Sequence, residues 1–308
     1  MRRRGLNENY ARELLELHTL GVDGGYTQRD VIEVARAFTG WTLERPREGG
    51  GFTFSPRLHD AEAKTVLGQR IPAGGGVEDG EAVLDLLARH PSTARHIARK
   101  LAVRFVSDSP PPALVERAAA TFRRTNGDIR ATVRTIVTSP EFFAEEAYRA
   151  KVKSPFEVVV SALRAMDAEP DTTPRTAQLV ARLGQPLYGR QTPDGWPETG
   201  EAWMNTGAIL NRINFGLAVA GGRVPGVRVD RWAPAAELRG MPRQWQVDGV
   251  IRALLGGDAS PETRRVLLDG QNPLLERAPR DSTPRGGRLD GLPLVVGLAL
   301  GSPEFQRR

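Results

Sequence analysis

Hydrophobic positions along this chain recur mostly at helical spacing. Tyr10, Leu14 and Leu17 fall at i, i+4 and i+7, which predicts an amphipathic first helix with those three side chains on its apolar stripe. Gly21 follows as its C-cap, and Gly24-Gly25 make the turn. Thr27, with Asp30 three residues on, is a capping-box start. Val31, Val34, Ala35 and Phe38 then form a second stripe that ends near Gly40-Trp41. Further helices are predicted over 81–89, 92–106, 113–124, 129–138, 154–166, 175–183, 201–220, 243–256, 261–269 and 289–301. Asp128 is the cap of one of them, and Ser154-Pro155-Phe156-Glu157 opens another with a Ser cap, Pro at the first helical position and Glu at the third.

The helical pattern lapses over residues 44–80, which are rich in Gly and Pro. Short β-like pieces occur there: Phe52-Thr53-Phe54, and Thr65-Val66-Leu67 before Gly68-Gln69 and Ile71. The expected fold is therefore mainly α, a multi-helix globular body with a small β-hairpin or loop insertion near 50–72. The Pro/Thr-rich stretch 169–175 is the best internal linker. It separates an N-terminal helical lobe (1–168), which carries the β insertion, from a C-terminal helical lobe (169–308), with one continuous domain as the alternative. Residues 223–242 and 270–288 read as Pro/Arg/Gly-rich loops. Ser139-Pro140-Glu141-Phe142 and Ser302-Pro303-Glu304-Phe305 repeat one string after an apolar run. Either the chain holds a duplication or Ser-Pro-Glu simply starts helices well, as Ser260-Pro261-Glu262 does.

Composition narrows the classes. The 308 residues can bury a sizeable core. The absence of cysteine excludes disulfides, thiolate metal sites and a thiol nucleophile. The longest apolar run, Leu292 to Gly301, is half of the roughly 20 residues a membrane-spanning helix needs, and no apolar stretch follows the basic Met1-Arg2-Arg3-Arg4 start to make a secretory signal. The net charge of +6 and pI of 10.1 invite a nucleic-acid reading. It is discounted, because four of the 43 basic residues are Lys and the other 39 are Arg, scattered among acidic residues. That skew is what a GC-rich coding sequence writes.

The segment NENYARELLELHTLGVDGGYTQRDVIEVARAFTGW resembles the signature of a bacterial domain family of unknown function, DUF 1800. The resemblance continues in order through His59-Asp60 with Lys64, Val66-Leu67-Gly68, His90-Pro91-Ser92-Thr93-Ala94, Lys100-Leu101 with Arg104-Phe105, Lys153-Ser154-Pro155, Gly195-Trp196, Glu201-Ala202-Trp203, Asn211-Arg212 and the closing Ser-Pro-Glu-Phe-Gln-Arg-Arg. It implies no established activity. It does imply further helical chain upstream of the opening motif, and hence an N-terminally truncated version here. Members are often exported, with an export signal expected in that upstream part, and are encoded beside a second family, DUF 1501. A protein of that family is the partner the resemblance suggests.

Candidate chemistry gathers in the first third, which holds all four histidines: His18, His59, His90 and His96. His59-Asp60 lies in the Gly/Pro-rich region, and imidazole with carboxylate is the ligand set for a divalent metal when no thiolate exists. Glu13 and His18 could add ligands or acid/base groups, although they stand five apart on different faces of a helix. The plain alternatives are that His18 interacts with a helix C-terminus, that His90 is a loop or cap residue, and that His59 and Asp60 bond backbone groups and cap a turn. Arg95, Lys100 and Arg104 on the 89–104 helix are candidate anion ligands, or else a solvated face. Trp196 and Trp203 around a Gly-containing loop form a ligand platform or pack beneath it. Three readings follow: an envelope-associated helical protein acting through a protein partner, a metal-assisted hydrolase built on His59 and Asp60, and an anion or nucleic-acid binder using 89–104.

Overall fold

The computed structural model describes residues 6–271 and 289–308. The chain forms two compact units, Met1–Phe143 and Ala144–Arg308. Most of the loop read over 270–288 lies outside the described residues.

The N-terminal unit opens with α1 (Glu8–Glu13), capped by Asn7, whose side chain accepts from the Tyr10 N–H at 3.1 Å. At Leu14 the helix widens into a π-helical turn that runs to Thr19. The buried line differs from the expected stripe: Ala11, Leu15 and Leu20 enter the core, the last two five residues apart because the wider turn inserts a residue into the repeat, while Leu14 packs partly buried against the core and Tyr10 stays 46% exposed. Next, α2 (Gln28–Ala37) begins with the expected Thr27/Asp30 capping box and buries Val31, Val34, Ala35 and Phe38. The insertion contains two antiparallel hairpins, β1 (Trp41–Leu43) with β2 (Phe52–Phe54), and β3 (Lys64–Val66) with β4 (Gln69–Ile71). The second turns on Leu67 and Gly68, both at positive φ. Leu67 is held there by its N–H, which donates to Asp30 at 2.7 Å. Helices α3 (Val77–Arg89), α4 (Pro91–Phe105), α5 (Pro112–Arg124) and α6 (Ile129–Val137) complete the unit. Alanines 94, 98, 102, 118 and 119 are buried there, and their small side chains let α4 and α5 lie close.

The C-terminal unit comprises α7 (Pro155–Ala165), α8 (Arg175–Arg182), α9 (Thr206–Ala220), a short α10 (Ala235–Leu238), α11 (Arg243–Leu255), α12 (Pro261–Asp269) and α13 (Gly291–Leu300). Its Ser154 capping box forms as the sequence predicts. The apolar run 292–301 becomes α13, buried on nearly every face against α9 and α11. Ser139 and Ser302 both cap short turns, accepting from the N–H of Phe142 and Phe305, each at 3.3 Å. Among the described residues no helix is long and apolar enough to cross a membrane.

Glycine governs the α9–α13 crossing. A Cβ placed on Gly216 would lie 2.6 Å from the Gly297 carbonyl oxygen and 3.0 Å from the Gly301 nitrogen, both backbone atoms that cannot swing aside. In an open helix Gly→Ala would gain about 1 kcal/mol. Gly216→Ala is instead expected to destabilise by about 1–3 kcal/mol through overpacking, measured by guanidinium denaturation.

Candidate functional site

Strand alternation sets up the first cluster. Lys64 and Val66 point to the same, inward face of β3, so the Lys64 ammonium enters the interior and is 1% exposed. Its three N–H donors must be met. The Asp60 carbonyl accepts one, the Glu62 carbonyl another at 2.8 Å, and Asp79 Oδ2 the third at 2.6 Å. Asp79 reaches this point from the first turn of α3, and its oxygen also lies 3.3 Å from His59 Nε2. The other imidazole nitrogen, Nδ1, donates to the Thr39 carbonyl at 2.8 Å, which can only accept.

Asp60 is committed elsewhere. Its carboxylate takes both arms of Arg36 at 2.8 and 3.1 Å, and one oxygen also accepts the Glu62 N–H at 3.0 Å. The guanidinium beside it holds the Asp60 carboxyl below the usual carboxylate range. Glu33 pairs with Arg36 at 3.0 Å and accepts the Thr65 N–H at 2.8 Å. His59 and Asp60 thus face different partners: His59 turns toward Thr39 and Asp79, and Asp60 toward Arg36.

The remaining sequence candidates lie apart from this cluster. His18 is exposed in the π-helical turn, and Glu13 is half-buried with no hydrogen bond or ion pair among the described residues. Among those residues no group of three or more His, Asp or Glu side chains could hold a metal ion. His90 is a helix cap, its Nδ1 accepting the Ser92 N–H at 3.2 Å. His96 Nε2 donates to the Leu17 carbonyl at 3.1 Å, with burial lowering its pKa. Arg95 is paired with Glu116 at 2.8 Å, Lys100 is exposed, and Arg104 is half-buried and engaged. Trp203 Nε1 donates to the Pro197 carbonyl at 3.1 Å, so this indole packs under its loop.

A second basic cluster, in the C-terminal unit, was not anticipated. Arg212 on α9 is 2% exposed. Its Nη1 donates to Gln306 at 2.9 Å, while Nε and Nη2 are shut off from water without a partner among the described residues. Burial pushes its pKa down to about 10. Lys153 stands over the Phe305 ring at 4.1 Å and donates its backbone N–H to Gln306 at 2.8 Å. Burial pushes the Lys153 amine down to about 8, with Glu157 partly opposing the shift. Three stretches far apart in sequence, Lys153-Ser154-Pro155, Asn211-Arg212 and Phe305-Gln306, therefore meet in one place.

A mainly α body with two small hairpins, carrying a buried cationic cluster in each unit, defines the class. The chain belongs to the family described as protein of unknown function (DUF1800), whose model matches residues 2–307. No curated protein and no solved structure matches it significantly.

Two predictions test these clusters. Lys64→Met leaves the Asp79 carboxylate buried without its cation and is expected to cost about 3–5 kcal/mol. Adding Asp79→Leu should recover a large part of that loss, read as a coupling in a double-mutant cycle of chemical denaturation. The amine of Lys153 binds its proton less tightly folded than unfolded. The penalty for burying its charge is therefore full below about pH 8 and relieved as pH rises toward 10.5. Stability should gain up to about 3 kcal/mol over that window, and Lys153→Met should remove that gain when unfolding is compared at pH 7 and 10.

Proposed function

We propose that this protein is a non-catalytic docking module that acts through a protein partner. The observation that carries the reading is an aromatic chain in the N-terminal unit. Tyr10 contacts Phe38 at 5.6 Å between ring centroids, Phe38 contacts Trp41 at 4.8 Å, and Trp41 contacts Phe52 at 5.0 Å, all edge-to-face. The chain surfaces at both ends: Tyr10 is 46% exposed, Phe52 is 58% exposed, and Leu43, opposite Phe52 across the hairpin, is 57% exposed. Aromatic side chains presented on a rigid support are typical anchors of protein interfaces.

The support is built for this display. Trp41 lies across α3 at Gly80, where an added Cβ would come within 2.5 Å of the ring. Its Nε1 is shut off from water without a partner among the described residues, a cost of about 1–3 kcal/mol accepted to hold the indole there. Envelope association belongs to the same reading, as an expectation from the family resemblance, which makes a DUF 1501 protein the first partner to test. The hydrolase reading has less support, because Asp60 is engaged by Arg36 on both oxygens.

The test is titration calorimetry between the chain and a DUF 1501 protein. Saturable binding weakened at least tenfold by Phe52→Ser and by Tyr10→Ser is the expected outcome. No binding, or unchanged affinity in both variants, overturns the reading.

A further inference from the structure

The C-terminal unit contains a cleft of about 590 Å³ that no sequence pattern announced. One wall is α8, where Arg175 and Arg182 stand seven residues apart and so share a helical face, two turns from one another. The facing wall is the 222–231 loop, which contributes Arg223, Arg228 and Arg231. The floor is apolar: Met166, Val224 and Val227 are buried beneath the opening.

The walls are fixed without a ligand. Gly226 has φ +74°, and a Cβ there would come 2.1 Å from the Glu169 carbonyl oxygen. In return the Glu169 N–H donates to the Gly226 carbonyl at 3.0 Å. Trp232, 3% exposed, anchors the end of the loop by donating to the Ala165 carbonyl at 2.9 Å. Asp171 accepts from Thr173 at 2.7 Å and from Thr176 at 3.2 Å, setting the turn that starts α8.

The charge in this cleft is not balanced from within. Arg228 is paired with Asp230 at 2.7 Å, and Arg231 with Glu169 at 3.4 Å. The guanidinium groups of Arg175, Arg182 and Arg223 have no hydrogen-bond or ion-pair partner among the described residues, and Asp167 is the single carboxylate in the described lining left to oppose them. Guanidinium forks match phosphoryl oxygens in pairs, and a volume in the range of 300–1,000 Å³ with an apolar floor suits a small organic ligand. We propose that the cleft binds an organic phosphate monoester, its phosphoryl group between Arg175, Arg182 and Arg223 and its apolar body on the Met166–Val224–Val227 floor. This proposal is independent of the docking face on the other unit.

Titration calorimetry with phenyl phosphate and with inorganic phosphate, at 20 mM and 200 mM sodium chloride, tests it. Saturable binding of phenyl phosphate is expected, at least tenfold tighter than inorganic phosphate and weakened by salt. Arg182→Ala and Arg223→Ala should each weaken it at least tenfold, while Arg89→Ala, an exposed arginine of the other unit, should leave it unchanged. All three positions are on the surface, and circular dichroism confirms that each variant folds. Absence of saturable binding overturns the proposal, as does binding that Arg182→Ala and Arg223→Ala leave intact. Equal affinity for the two phosphates overturns the role given to the floor.

Discussion

The N-terminal unit depends on one demand: a lysine ammonium carried inward by a β-strand must find three acceptors. A buried cation is costly unless every donor is met and a counter-charge is close. At Lys64 two acceptors are backbone carbonyls, of Asp60 and Glu62, and the third is Asp79. To present those carbonyls, the chain between 59 and 63 must curl around the ammonium. The curl places the Asp60 carboxylate toward Arg36, whose guanidinium also binds Glu33, and Glu33 in turn accepts the Thr65 N–H beside the lysine. The polar cycle closes on itself and ties α2, α3 and the second hairpin together. Networks of this kind stiffen what they join because each bond polarises the next. Phe54, which touches the His59 ring at 5.3 Å, carries that stiffness into the first hairpin, where Phe52 is displayed.

The C-terminal unit solves a similar problem less completely. Arg212 buries five donors, and Gln306 accepts from Nη1 alone, leaving Nε and Nη2 without partners among the described residues. The Gln306 side-chain amide donates to the Leu300 carbonyl at 2.8 Å and so holds its oxygen toward the arginine. The guanidinium is oriented but not satisfied, and Lys153 nearby, though only half-buried, also loses hydration of its charge. The two units thus use buried cations differently: one as a saturated clamp, the other at a cost carried by the surrounding apolar core.

Much of this architecture was legible in the sequence because local rules went unopposed. The Thr27/Asp30 and Ser154/Glu157 caps and the second apolar stripe sit where period and capping put them, and the strand pieces at 52–54 and 64–71 fall in the expected insertion, while the pairing of Trp41–Leu43 with Phe52–Phe54 adds a second hairpin that was not expected. The first helix departs in part because a π-helical turn leaves no compositional trace, yet it sets the five-residue step between the buried Leu15 and Leu20. His59 and Asp60 were singled out as a pair, but adjacent residues in extended chain point in opposite directions, and their partners Thr39, Asp79 and Arg36 come from other elements. The one usable signal for this cluster was Lys64, a rare lysine at an inward strand position. The arginine cleft left no signal, since 39 arginines scattered over the chain conceal the few that converge.

The two units spend their polar and apolar groups differently. The residues with the most versatile chemistry, His59, Asp79 and Lys64, are sealed within a saturated network, with the His59 side chain 2% and the Asp79 side chain 4% exposed. A group in that position can orient its neighbours but cannot meet a substrate without the network opening. The surfaces left uncommitted are of other kinds, an aromatic ridge on one unit and an arginine-rimmed cleft on the other. Neither supplies a nucleophile or a proton-transfer pair, and each offers one complementary chemistry, apolar contact or positive charge. Under the docking reading proposed above, the buried network would keep the aromatic ridge in place, and a partner would be held by complementarity to it.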